Sequence, residues 1–309
     1  VATDSLLLAL TGATGFIGGW TARHLVCAGW RVRVLVRPGS EHRLPLPDLE
    51  ICRGCLENPA DRERLLEGAS HVVHCAGVVR GRHQSDFDAI NAVATGELAR
   101  MAVAMGVSRF IQISSLAARE PHLSPYALSK RRGEEALERF AHGLSWLVLR
   151  PPAVYGPGDR EMLPLLKAMS RGLVPVIGGR GSRFSLLYVE DLARAVVAAV
   201  NADRISQVIF ELDDGKREGY SWSEVIEIAA RYREGWVLPL TVPESLLRGV
   251  AGVSEIFSRI SGKAPMLTSA KVNELRHPDW VCDNTPIFRS LNWRPVVPFD
   301  VGLRKTLET

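Results

Sequence analysis

The segment Thr11-Gly-Ala-Thr-Gly15-Phe-Ile-Gly18 constrains this chain most, because it joins an apolar run, Leu6–Leu10, to a helix-like stretch, Phe16–Ala28. A strand, glycines at that spacing and then a helix make a frame for a dinucleotide pyrophosphate. Gly12 permits a tight turn, Gly15 removes the Cβ that would keep backbone from phosphate, and Gly18 lets the helix lie against the sheet. The free N–H groups and positive dipole end of the helix N-terminus then face the anion. Such glycines also occur in turns that only pack a sheet; their place between strand and helix favours the dinucleotide.

Apolar runs alternate with helical patterns through the first two-thirds of the 309 residues. Strands are expected at Ser5–Leu10, Arg31–Val36, Leu49–Arg53, His71–Cys75, Arg109–Ser114 and Ser145–Leu149. Helices are expected at Phe16–Ala28, Phe87–Met105, Tyr126–His142 and Glu190–Asn201. Near-continuous Val, Leu and Ile in the strands indicates a parallel sheet covered on both faces. The expected fold is therefore α/β: a Rossmann doubly wound parallel sheet with a smaller C-terminal substrate-binding lobe. Residues 1–170 with 186–204 would form the dinucleotide domain and 171–185 with 205–309 the lobe; beyond Arg150, Pro151-Pro152, Pro157-Gly158 and Gly178-Gly179-Arg180-Gly181 punctuate shorter segments, in loops where a substrate-facing lobe would be built. Leu246, Leu247, Val250, Val253, Ile256, Phe257 and Ile260 fall at helical spacing in Glu244–Ile260, a stripe read as core, with a membrane-surface helix as the lesser reading. No internal repeat or low-complexity tract appears.

Charge and cysteine usage narrow the class. A formal net charge of +4 without a Lys/Arg block argues against nucleic acid as a partner. Five cysteines, mostly inside apolar segments as Cys27 and Cys75 are, suit a reducing cytoplasm. Cys52 and Cys55 form a lone C-x-x-C, read as two unrelated thiols, so no metal is expected. Leu6-Leu7-Leu8 lacks the basic flank and length of a signal-peptide core. No stretch reaches the roughly 18–20 apolar residues of a membrane span.

Tyr126-Ala-Leu-Ser-Lys130 sets a phenol and an ammonium four residues apart on one helix face. A nearby cation stabilises phenolate and lowers a pKa that is otherwise near ~10, and Lys130 can also hydrogen-bond a ribose. Alone, the pair would read as a solvated helix turn. Ser114-Ser115, however, closes the strand before that helix and puts a hydroxyl at the sheet's carboxyl edge, where it can donate to a carbonyl oxygen gaining charge.

Together these motifs resemble the extended short-chain dehydrogenase/reductase superfamily, the NAD-dependent epimerase/dehydratase group. The resemblance continues through Asn91-Ala-Val-Ala-Thr95-Gly96, Leu149–Asp159, Tyr188-Val-Glu-Asp191 and Leu291-Asn-Trp-Arg-Pro295, and so covers nearly the whole chain. It implies Tyr126 as acid–base, Lys130 as its partner and one of the serine pair, Ser115 in preference to Ser114, as carbonyl anchor. It further implies cofactor contacts at Gly12, Thr14, Gly15, Phe16, Ile17, Gly18, Arg37, Leu56, Ala76, Gly77, Asn91, Lys130 and Pro151. A homodimer through Phe87–Met105 and Tyr126–His142 would follow the family's habit.

NAD-selective sites carry an acidic residue about 20 positions past the glycine loop. Here the second strand ends Val36-Arg37, with Arg43 nearby, which favours NADP over NAD through a 2′-phosphate; Arg37 stacked on adenine would leave NAD possible. Cys55-Leu56 stands where relatives often have Asp-Leu. Leu116-Ala117 replaces the Asp-Glu pair of nucleotide-sugar dehydratases, Ala153 an Asn of many sugar-nucleotide members, and Phe184, beside Arg183, their diphosphate-binding Arg. These losses point to a less polar substrate, as does a tail from Pro243 through Pro265 to Trp280 that looks more like the 3β-hydroxysteroid dehydrogenase and dihydroflavonol reductase branches. The expected function is oxidoreduction between a secondary alcohol and a ketone on a moderately apolar small molecule. The alternatives are a nucleotide-sugar epimerase with tightly bound NAD and a non-catalytic dinucleotide sensor or assembly protein.

Overall fold

The computed structural model describes residues 6–179, 181–262, 264–265 and 267–308. Six strands, β1 (Leu7–Thr11), β2 (Arg31–Val36), β3 (Glu50–Arg53), β4 (His71–His74), β5 (Arg109–Ile113) and β6 (Ser145–Arg150), join a seventh, Val208–Glu211, in one parallel sheet. Its order is Val208–Glu211, β6, β5, β4, β1, β2, β3. The order reverses between β1 and β4, and at that crevice an open α/β sheet receives its ligand, outside the carboxyl ends of the strands.

Seven helices follow the strands: α1 (Phe16–Cys27), α2 (Pro59–Leu66), α3 (Gln84–Asp88), α4 (Thr95–Ala104), α5 (Pro125–Phe140), α6 (Leu163–Ser170) and α7 (Val189–Val200). In β1, Leu8 and Leu10 pack with α1 and α7, while Leu7 and Ala9 face the side of α2, α4 and α5. Every β1 residue is buried, because alternate side chains enter two different cores, which is why the strand reads as unbroken apolar sequence.

Three expectations change. The helix expected at Phe87–Met105 is built from α3, a π-helical stretch Ala89–Ala94 and α4. A Cβ on Gly133 of α5 would fall on the Asn91 carbonyl, so the π turn and the glycine together let the two helices approach. Val208–Glu211, assigned from sequence to the lobe, pairs with β6 and extends the main sheet, while Ile287, Leu291 and Trp293 of the tail enter the same core as α1 and α7. The lobe carries α8 (Trp222–Arg233), α9 (Glu244–Ser261) and α10 (Ser269–Arg276).

The third change concerns α9. Its stripe is not core, since Leu246, Val250, Val253, Ile256 and Phe257 are all exposed and, among its described side chains, only Leu247 of the larger apolar residues is buried. Small residues face inward instead. Ser5, Arg180 and Lys263 lie outside the described residues, as does the side chain of Ile260. Among the described residues, no helix is long and apolar enough to cross a membrane.

Candidate active site

The glycine loop closes tightly on itself and on the end of β4. Gly12 has φ +80°, and a Cβ there would stand 2.7 Å from the Ala76 nitrogen and the Cys75 carbonyl carbon. A Cβ on Gly18 would fall on the Gly12 carbonyl oxygen, so Gly18 is required by the loop itself and not, as the sequence suggests, by packing on the sheet alone. Gly15 begins α1 without any side-chain cap, which leaves the helix N-terminus free to receive an anion. A glycine cradle and an uncapped N-terminus fit a dinucleotide pyrophosphate.

Buried hydrogen bonds fix the crevice behind this loop. His74 bridges Thr11 at 2.7 Å and Thr95 at 3.0 Å, and the Thr11 hydroxyl accepts from the Ala76 N–H. Burial pushes the imidazole down to about 3, so it serves as a neutral brace. Asn91 accepts from the Val78 N–H and donates to the Val78 carbonyl and the Ser129 hydroxyl. The carboxamide expected to touch cofactor is thus used to hold the loop after β4.

Other expected contact residues fall in varied surroundings. Thr14, Phe16, Ile17 and Ala76 are partly exposed around the crevice, Gly77 is exposed there, and Arg37 is exposed at the end of β2. The Leu56 side chain is core and Pro151 is buried, its carbonyl accepting from Leu116 N–H, so these two have only limited surface to offer a ligand. Asp61, which sequence reading passed over, accepts from the Cys55 N–H at 2.8 Å and lies against Gly54, supplying a carboxylate beneath the turn where Cys55 itself has none. Cys52 is buried and donates to the Asp61 carbonyl, while Cys55 is half-buried, so the C-x-x-C thiols have different environments.

At the carboxyl edge the chain brings Ser115, Tyr126 and Lys130 together. Ser115 caps the short turn after β5, accepting from Ala117 N–H at 3.2 Å, and its hydroxyl lies near enough to the Tyr126 phenol to favour phenolate there. Ser114 points the other way, into the buried Glu134 carboxylate at 2.5 Å. Arg150 holds the same carboxylate in a two-pronged pair at 2.8 and 2.5 Å. Tyr126, Lys130 and Glu134 recur every four residues on α5, a spacing from which Glu134 could have been found.

Lys130 is buried, and its Nζ donates to the Ile113 carbonyl at 2.9 Å and lies near Gly77. Burial lowers the ammonium to about 8 against the opposing pull of Glu134. Tyr126 moves the other way: burial raises it to about 12, helped by Glu274 and opposed by the Ser115 hydroxyl. The sequence expectation that Lys130 lowers the phenol is not met. Its ammonium is turned to backbone, so Ser115 is the group that favours phenolate.

The lobe closes over Tyr126 through α10. Ser124 caps α5, accepting from Ala127 N–H and hydrogen-bonding the buried Glu274 carboxylate, which also pairs with Lys271 at 2.5 Å. Lys271 lies 5.6 Å from the Tyr126 ring centre. None of these lobe residues carried a local sequence signal, since their approach is created by the tertiary fold. Arg183 spends its guanidinium on the Glu218 and Gly219 carbonyls and Glu224.

Comparison with known proteins agrees with this architecture. Residues 8–211 match the model of the NAD dependent epimerase/dehydratase family. A ceramide reductase of Caulobacter vibrioides is 37% identical over 289 residues, covering 93% of this chain and 90% of that protein. In fold, the chain is similar to the UDP-glucose 4-epimerase of Thermotoga maritima solved with UDP-glucose, at TM-score 0.77 and 21% identity over 98% of each chain. It is likewise similar to the Bordetella bronchiseptica enzyme WbmG solved with NAD, at TM-score 0.74 and 19% identity, covering 99% and 94% of the two chains. The chain belongs to the NAD-dependent epimerase/dehydratase family and is an NAD(P)-dependent enzyme of the extended short-chain dehydrogenase/reductase type.

Proposed function

We propose that this enzyme reduces a ketone to a secondary alcohol on an apolar, lipid-like substrate, with NADPH as the preferred reductant. The observation that carries the reading is the Ser115–Tyr126 hydroxyl pair at the sheet's carboxyl edge, beside the glycine cradle and above buried Lys130. When bound, a reduced nicotinamide supplies a hydride from C4 to the carbonyl carbon. The carbonyl π electrons move to oxygen, Ser115 donates a hydrogen bond to that oxygen as charge grows, and Tyr126 gives it a proton. A phenol raised to about 12 is fully protonated at neutral pH, which suits the reductive direction. The cofactor-binding part is read as residues 1–170 with 186–204, now joined by strand Val208–Glu211, and the substrate part as 171–185 with most of the remainder.

Among the described residues, the side chains at the positions that hold a sugar diphosphate in relatives favour a less polar substrate. Arg183 is committed within the lobe and Ala153 and Phe184 offer no polar group, so a sugar diphosphate would leave its charges poorly matched. Similarity to a ceramide reductase supports a lipid ketone. NADPH consumption is expected to rise in kcat/KM along a series of ketones of increasing chain length. Turnover of UDP-glucose in place of any ketone would overturn the reading.

Arg37 is the proposed 2′-phosphate contact, an exposed guanidinium at the end of β2. In a binding titration Arg37→Ala should weaken NADPH by roughly tenfold to a hundredfold, the worth of a charge-assisted hydrogen bond, and leave NADH nearly unchanged. Equal affinities in the parent protein, unmoved by the substitution, would remove the NADPH preference.

The pH profile follows from Lys130. Its ammonium persists below about 8 and is lost above it, whereas Tyr126 keeps its proton throughout that range. Reductive kcat should be level at neutral pH and fall as pH rises past the Lys130 value. Lys130→Arg should move the fall upward, because a guanidinium keeps its proton. A parent profile that stays level well beyond that value would show that the Lys130 charge does not contribute.

A further inference from the structure

We infer that α9 is a lipid-docking helix whose exposed apolar face lies in the surface of an anionic phospholipid bilayer. The helix is amphipathic in the reverse of the usual sense. Its buried inward side is narrow, with Leu247 and Ala251 packed against Val272 of α10 and Ser258 buried further along. Its outward side carries Leu246, Val250, Val253, Ile256 and Phe257, exposed by 51–69%. At 3.6 residues per turn, the centres of the two sides are roughly 130° apart, so no small rotation would bury the large side chains.

Area and charge decide what covers this face. An 18-residue helix is ~27 Å long and about 10 Å wide, offering about 300 Å² on one side. A stable protein interface needs about 800 Å² per partner, so a second copy or another protein would have too little to hold. A bilayer surface needs no matching shape and takes a single amphipathic helix with bulky apolar groups on one side. From Arg231 to Lys263 the sequence has five basic residues and three acidic ones, a local excess matching anionic headgroups. Glu244 is paired with Arg248 and with Arg276 of α10, and Glu255 accepts from the Ser269 N–H. Trp236, 75% exposed in the segment leading into α9, has the amphipathic ring favoured at a headgroup boundary.

The position of α9 gives docking a use. α10 separates it from Tyr126, against which Lys271 stands, so a docked α9 would hold the catalytic cleft one helix away from the lipid surface. A substrate dissolved in that surface would have a short path inward.

The test is flotation of the full chain with vesicles of phosphatidylcholine alone and of equimolar phosphatidylcholine and phosphatidylglycerol. The parent protein should float with the anionic vesicles and less with the neutral ones. The triple variant Val253→Ser, Ile256→Ser, Phe257→Ser should lose about tenfold or more of that binding, as expected on removing three large apolar groups from a lipid contact. NADPH oxidation with a short soluble ketone and the thermal midpoint should be unchanged in the variant, which separates docking from the proposed reaction. Equal flotation of parent and variant, or none with either vesicle, would overturn the inference. So would a parent dimer in solution that the triple variant converts to monomer without vesicle binding, since that outcome assigns the face to a second copy.

Discussion

Replacing Tyr126 by Phe is expected to lower kcat for ketone reduction by about 10²–10⁴-fold, the range a positioned proton donor contributes. The change removes one hydroxyl and keeps the ring that meets Phe87 edge-on and lies beside Lys271. Folding and dinucleotide affinity should therefore be preserved, and the loss should appear in kcat and kcat/KM together, as it does when an interaction made in the transition state is removed. Ser115→Ala should act on the same oxygen with a smaller loss, while Ser114→Ala should not follow it, because the Ser114 hydroxyl is hydrogen-bonded to Glu134. Near-parental turnover by Tyr126→Phe with every accepted ketone would exclude the proposed proton transfer.

The second large effect is on stability. Arg150→Met should destabilise the protein by about 3–5 kcal/mol, because it leaves the Glu134 carboxylate, only 3% exposed, without its cation. In a chain of this size that corresponds to a fall in Tm of roughly 5–15 °C. The variant Arg150→Met with Glu134→Gln should recover much of the loss, since a neutral amide can still accept from Ser114 and no charge stays buried. Thermal melting of the two variants decides the matter: an unchanged Tm in Arg150→Met would mean that water or another group already satisfies Glu134.

Much of the main sheet was readable as pattern because its determinants are local. β2 spans Arg31–Val36 as expected, and α1, α5 and α7 lie within one or two residues of their expected limits. Val208–Glu211 was missed because it is a short edge strand with Ile209 open to solvent, so its composition resembles that of a lobe. The core reading of α9 failed for a different reason. Helical periodicity states that one side is apolar, but not whether the protein's own body meets that side.

The proposed active site divides in the same way. Ser115, Tyr126 and Lys130 could be proposed from one strand end and one helical repeat, and the glycine cradle from one turn. Asn91 could be named but not interpreted, since its spending of every carboxamide group on Val78 and Ser129 depends on chain distant in sequence. Arg150, Asp61, Lys271 and Glu274 had no signal of this kind.

By itself, the sequence determined a doubly wound dinucleotide fold and nominated the serine pair, Tyr126 and Lys130 as candidates, because turns, strand alternation and i, i+4 spacing act over a few bonds. Tertiary structure alone decided which serine faces Tyr126, which way the phenol's pKa moves and which side of α9 is left bare. Those outcomes depend on burial and on partners brought from remote segments. A hydroxyl from Ser115 or a carboxylate from Glu274 shifts a proton equilibrium only once packing has excluded the water that would otherwise compete for it.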